Sequence, residues 1–340
     1  MRMQDMIIKS LKKYAILLVL LLIVAFFTIL SPDFFSWENF MNILTQNSYV
    51  IIAAIGLSFV MIAGGMDLSI GYQMSLVGVI TALLMTVFHM PVFLCMIIGI
   101  CVGIVLGISN GFAAIKLKVH PLIITLGTMT IFQGLSYMIS NSNSFYGLPS
   151  VFKYIGQGSV FGIPFCAVIM AICVIVASFI LNKTYFGRYV YALGGNEEAA
   201  RLAGVNINKM KVIVFAICGF FVAIATMVLV SRAGSANSST GPGTEFTCMT
   251  AAVLGGISFK GGEGKVWGLV TGVLILGILS NGMQIIGLGT YPQYIAKGAV
   301  LLAAVGFDTY QKMGKVSKRN RISTGSDGTK TPSSKVPTAV

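Results

Sequence analysis

The chain is a succession of apolar, almost uncharged runs separated by short polar segments: 14–30, 50–63, 72–88, 92–108, 122–139, 165–181, 212–230, 247–258, 266–283 and 293–308. A membrane-crossing helix needs about 20 predominantly apolar residues to span a hydrocarbon core of about 30 Å, and most of these runs approach that length. In lipid the backbone must satisfy its own hydrogen bonds, which makes the helix the form such runs take. Composition agrees. A soluble chain carries roughly a quarter charged residues, whereas here charge falls to 10%, the apolar fraction is 56% and the mean hydropathy is +0.88. The expectation is an all-α polytopic membrane protein with about ten transmembrane helices, folded as one domain over residues 1–311.

Two runs, 50–63 and 247–258, are short for a full crossing. Each leads into a glycine-rich stretch, Gly64-Gly65-Met66-Asp67-Leu68-Ser69-Ile70-Gly71 and Gly255-Gly256-Ile257-Ser258-Phe259-Lys260-Gly261-Gly262. Short spans interrupted by glycine are typical of broken helices that bury irregular backbone inside the protein. The stretches also echo one another, since each precedes a run of similar pattern, Gly78-Val79-Ile80-Thr81 and Gly268-Leu269-Val270-Thr271.

Charge placement sets the orientation. With the N-terminus inside, four basic residues precede residue 14, and Lys116 and Lys118 add two. Five fall in 182–211, two more are Lys260 and Lys265, and seven follow residue 308, so 20 of the 23 basic residues are cytoplasmic. Lys153 and Arg232 fall outside and Lys297 within a span. Basic residues favour the cytoplasmic face, so both termini are expected in the cytoplasm. The run after Lys9-Ser10-Leu11-Lys12-Lys13 resembles a signal peptide, but Ser31-Pro32-Asp33 is not a small-x-small cleavage site, so a retained first span is expected. Residues 312–340, rich in Lys, Ser, Thr, Gly and Pro, read as a disordered basic tail. The net charge of +13 belongs to this topology and to contact with membrane lipid, not to nucleic acid.

Chemistry-bearing clusters are scarce. The cysteines (Cys95, Cys101, Cys166, Cys173, Cys218, Cys248) lie in apolar runs without a Cys-x-x-Cys pair, and read as small buried thiols. The only histidines, His89 and His120, adjoin prolines. Gly261-Gly262-Glu263-Gly264-Lys265-Val266 fails as a phosphate-binding loop, because Phe259 stands where Gly is needed and Val266 where Ser or Thr is needed. No catalytic residue, metal or cofactor is therefore expected, and the chain reads as a transport subunit, not an enzyme.

The most informative stretch lies in the loop 182–211. Asn196-Glu197-Glu198-Ala199-Ala200-Arg201-Leu202-Ala203-Gly204 reads as a short helix with Asn196 as N-cap. Two glutamates sit at the positive end of its dipole, and Gly204 is placed for a left-handed C-terminus. Ala199, Leu202 and Ala203 give it a small apolar face, which a solvated loop does not need. A docking helix is the favoured reading.

The segment Gly187–Lys211 resembles the cytoplasmic loop of sugar-type ABC importer permeases, the ribose, xylose and galactose permeases. The resemblance extends through Ala63–Gly71, Leu254-Gly255-Gly256, Asn281-Gly282, Tyr291 and Gln293, and covers roughly residues 14–312. It implies a two-subunit membrane channel whose second permease subunit is a copy or a paralogue. It also implies two cytoplasmic ABC ATPase subunits, and a sugar-binding protein on the outer side. The 196–204 helix would be the coupling helix in the ATPase groove, with Asn196, Glu197, Glu198, Ala199, Arg201, Leu202 and Gly204 as coupling residues. Ribose is the leading substrate.

Two further groups are candidates with open alternatives. Gly64, Gly65, Asp67, Ser69, Gly71, Gly255 and Gly256 form either a broken-helix gate or, for Asp67, a hydrated interfacial position; Lys297 is expected to snorkel outward without pairing to it. Asn47, Gln73, Thr125, Thr128, Gln133, Asn281 and Gln284 either pass a hydroxylated solute along or cement helix packing. An ion-coupled secondary transporter is the alternative function. It would require ionisable groups deep in the membrane, and the chain offers only Asp67, Lys297 and Glu245.

Overall fold

The computed structural model describes residues 18–304 together with 306, and the tail expected over 312–340 lies outside the described residues. Among the described residues the chain is helical apart from a two-stranded hairpin, Ser159–Val160 with Ile163–Pro164. In chain order the helices are α1 (Leu18–Leu30), α2 (Trp37–Ile62), α3 (Ile70–Thr86), α4 (Val92–Leu117), α5 (Pro121–Ser140), α6 (Ser150–Gln157), α7 (Phe165–Lys183), α8 (Tyr185–Gly195), α9 (Glu197–Leu202), α10 (Ile207–Ala233), α11 (Thr244–Leu254), α12 (Val266–Ile285) and α13 (290–304). Over the described residues, each of the ten apolar runs falls largely on one of these helices. Six helices (α2, α4, α5, α7, α10 and α12) are long and apolar enough to cross a membrane. The protein is a multi-pass membrane protein.

One expectation needs correction. The run 50–63 is not a short span: α2 starts at Trp37 and runs 26 residues to Ile62. Its first half looked too polar for membrane because Thr45, Asn47 and Ser48 occur there. Their side chains donate to carbonyls one turn back, on Met41, Ile43 and Leu44, at 2.6–2.8 Å. Asn39 and Asn281 exchange hydrogen bonds at 2.9 and 3.0 Å, and Ser36 caps the helix by accepting from the Asn39 N–H. Polar groups paired this way can be buried inside a helical bundle at little cost. The run 247–258 does yield a short helix, the 11-residue α11.

The core is built on α2 and α10, of whose apolar windows 78% and 61% are buried. Glycines allow α4 to approach α10 closely. Gly99, Gly103, Gly107 and Gly111 recur every fourth residue along one face of α4, and a Cβ on Gly103 would come within 2.6 Å of the Gly219 carbonyl. Small-residue stripes of this kind let helix backbones meet in lipid, where exclusion of water gives no drive for association. Phe59 of α2 stacks on Phe221 of α10 with ring centroids 6.0 Å apart. The other helices pack around this pair.

Candidate coupling and translocation sites

Helix α9 has the form its sequence dictates. The Asn196 side chain accepts from the Ala199 N–H at 2.9 Å, capping the first turn. At the other end the Gly204 N–H reaches the Arg201 carbonyl at 2.9 Å and the Val205 N–H reaches that of Ala200 at 3.1 Å, with Gly204 at φ +86°. This is a Schellman closure, which needs a residue at positive φ. Ala200 turns inward and is 4% exposed, while Leu202 is 83% exposed. Ala199 and Ala203 are exposed beside Leu202, so the apolar residues named from sequence face away from the bundle. Glu197 is tied down: both its carboxylate oxygens lie 2.9 Å from the Lys211 Nζ at the start of α10. Glu198 forms only a loose, exposed pair with Arg201 at 3.6 Å.

Helix α8, which the sequence reading did not foresee, roots α9 to the bundle through a junction of backbones. A Cβ on Gly194 would strike the Ile62 carbonyl at the end of α2 and the Gly262 amide, and one on Gly262 would lie 2.7 Å from the Gly195 Cα. The Gly262 N–H donates to the Ile62 carbonyl at 2.8 Å. The Tyr191 hydroxyl donates to the Gly264 carbonyl at 2.8 Å, and burial pushes that phenol above its ordinary pKa. Three chain segments, α8, the end of α2 and the loop before α12, thus meet without side chains between them. A crevice of about 650 Å³ lies beside this junction, with Gly64, Gly65, Lys118, His120, Arg201 and Lys211 in its walls.

The glycine stretches end α2 and α11 in the same way. The Gly64 N–H reaches Met61 O and the Gly65 N–H reaches Val60 O; likewise the Gly256 N–H reaches Val253 O and that of Ile257 reaches Ala252 O. Gly64 and Gly256 stand at φ +83° and +84°. From Gly64 the chain runs in a non-helical segment through Ser69 before α3 begins. Thr125 of α5 holds that segment, accepting from the Leu68 N–H at 3.2 Å and donating to the Met66 carbonyl at 3.4 Å.

Asp67 sits inside this break and is fully buried, so its reading as a hydrated interfacial carboxylate falls. Oδ1 accepts from the Ser69 N–H at 2.9 Å and the Ser69 hydroxyl at 2.6 Å, and Oδ2 accepts from Gln73 Nε2 at 3.1 Å. Asn110 Nδ2 approaches Oδ2 at 3.3 Å and donates to Ser69 Oγ at 2.8 Å. All four side chains are buried, and they join the break to α3 and α4. Asn110 was missed from sequence, because a single Asn in an apolar run gives no sign of its partner. Gly71, in the first turn of α3, lies against the Gly241 backbone and the Glu245 carboxylate.

The residues suggested as a solute path separate into two groups. Asn47 and Gln284 line one cavity of about 260 Å³, formed by α2, α10, α11, α12 and α13. Gln73 belongs to the Asp67 cluster, Thr125 holds the break, Asn281 pairs with Asn39, and Thr128 donates to the Thr125 carbonyl. Gln133 is half-buried on α5. The cavity also gathers Arg232, expected on the outer side, and Lys297, expected to snorkel outward from its span.

Comparison with known proteins gives the class. A family model described as the permease component of branched-chain amino acid transport systems matches residues 39–305. The chain belongs to this family, in its sugar ABC permease branch. The ribose import permease protein RbsC of Haemophilus influenzae is 40% identical over 295 residues, covering 86% of this chain and 91% of that protein. The D-allose transport system permease protein AlsC of Escherichia coli K12 is 37% identical over 297 residues, 87% of this chain and 91% of its own length. The L-arabinose transport system permease protein AraH of the same organism is 37% identical over 303 residues, 89% and 92%. No solved structure matches the chain.

Proposed function

We propose that this chain is the membrane-spanning subunit of a binding-protein-dependent ABC importer in a bacterial plasma membrane. It moves a monosaccharide, with ribose the leading candidate, into the cytoplasm using ATP hydrolysed by separate subunits. The observation that carries this reading is α9, a capped six-residue helix that turns Leu202 outward at 83% exposure. An apolar residue displayed on a rigid helix, next to a basic crevice, suits insertion into a groove of a soluble partner. Charge placement supports a cytoplasmic position for α9, since Lys118, Lys209 and Lys211 lie at the same end of the bundle. The partners in this reading are two cytoplasmic ABC ATPases, a sugar-binding protein outside and a second permease subunit, identical or paralogous. Closure of the ATPases on ATP moves α9, and the backbone junction at Gly194 passes that motion to α2 and the broken segments. The D-allose and L-arabinose permeases among the relatives keep those sugars open as substrates.

The test is uptake in membranes carrying the full assembly. Replacing Glu198 by Ala or Gly204 by Val should abolish uptake and weaken co-purification of the ATPase, while membrane insertion stays intact. Uptake that persists without any ATPase and collapses with the proton gradient would establish the ion-coupled alternative instead.

A further inference from the structure

The cavity bounded by α2, α10, α11, α12 and α13 gathers charge of one sign. Arg232 and Lys297 both line it, and no Asp or Glu does. Neither cation enters an ion pair among the described residues, where the pairs are Glu197–Lys211 and Glu198–Arg201. Arg232 is nonetheless held in place: its Nη1 donates to the Thr45 carbonyl at 3.4 Å, and its guanidinium lies 5.7 Å from the Tyr49 ring centroid. Glu245 is 2% exposed and outside the lining; its carboxylate accepts from the N–H of Gly243, a wall residue, at 3.0 and 3.1 Å, and lies against Gly71. In the wall, the Ser280 hydroxyl is buried and has no hydrogen-bond partner.

The volume narrows the occupant. The cavity, about 260 Å³, offers room on the scale of a single monosaccharide. Sugar hydroxyl and ring oxygens accept hydrogen bonds, and charged donors form bonds roughly twice as strong as neutral ones. The amides of Asn47 and Gln284 supply both donors and acceptors for the remaining hydroxyls. An ammonium group in this space would face two uncompensated cations.

We propose that this cavity is a solute station within the permease itself, where Arg232 and Lys297 grip one neutral monosaccharide by its oxygens and turn away cationic amino sugars. The identity of the solute rests on the sugar-importer reading; the site and its selection rule are additional to it. The experiment uses full-length chain in lipid nanodiscs carrying Thr247→Cys, a position in the cavity wall. Labelling by a thiol reagent is read at that residue by peptide mass spectrometry. D-ribose, D-allose or L-arabinose should slow labelling at least fivefold, and glucosamine should not. Adding Lys297→Gln should raise the sugar concentration for half-protection about tenfold and let glucosamine protect, whereas Lys297→Arg should behave as the parent. Protection by none of the three sugars, or equal protection by glucosamine in the parent, would overturn the proposal. Protection by a sugar that the assembled transporter does not take up would uphold the station and count against the importer reading.

Discussion

Leu202 offers the sharpest test of what α9 does. It is 83% exposed at the end of a helix whose caps and Ala200 anchor are independent of it. Truncating it to Ala removes a side chain that touches little of its own chain, and surface substitutions of that kind usually change stability by no more than about 0.5 kcal/mol. If a partner buries this residue, its burial contributes about 1.5–3 kcal/mol to docking. At about 1.4 kcal/mol per decade that corresponds to an affinity loss of about ten- to a hundredfold. The assay is ATPase binding to the permease in nanodiscs, with unfolding temperature measured on the same preparation. The expected result is a dissociation constant raised by at least tenfold at an unchanged melting temperature, with Leu202→Asp losing more. Unchanged affinity and uptake in both variants would refute the docking role, because no other large apolar side chain on α9 is exposed.

Three further outcomes follow from the geometry. Asn196→Ala removes the side-chain oxygen that accepts from the Ala199 N–H; it should cost about 1 kcal/mol of local helix stability, seen as faster amide exchange at Ala199 with the core unaffected. Gly194→Ala puts a methyl group into the Ile62 carbonyl, and overpacking of this type costs about 1–3 kcal/mol, so the melting temperature should fall and uptake fall with it. Asp67→Ala leaves the Ser69 N–H and hydroxyl buried without their acceptor and leaves Gln73 and Asn110 only Ser69 Oγ to share, at about 1–3 kcal/mol for each unsatisfied group. That variant should be poorly recovered from membranes, and normal recovery would show the cluster to be dispensable.

The apolar runs were legible because lipid imposes one rule, internal backbone satisfaction, and a run of apolar residues meets it only as a helix. The caps of α9 were legible for a similar reason, since Asn196 and Gly204 act within a few residues of their own positions. What the sequence hid was long-range pairing. Asn39 and Asn281 look equally polar alone, and their mutual hydrogen bonds, formed across 242 positions, are what lets both amides be buried in the bundle. Asn110 and Arg232 were missed in the same way, because their partners come from the Asp67 break in one case and from α2 in the other.

Helix α2 brings the two candidate sites into one mechanical object. Its last residue, Ile62, accepts from the Gly262 N–H and sits against Gly194 at the root of α9. Asn47 and Tyr49, on the same helix, line the cavity with Arg232 and Lys297. Fifteen residues of continuous helix separate Asn47 from Ile62, about 22 Å at 1.5 Å per residue. Its apolar window is the most deeply buried of the six long helices, so it has little freedom to bend and tends to shift as a unit. A displacement imposed at Gly194 therefore reaches the cavity wall without passing through any flexible connection. The hinge that would permit such a shift is the Gly64–Ser69 break, where helical hydrogen bonding stops and the Asp67 cluster takes over the link to α3 and α4.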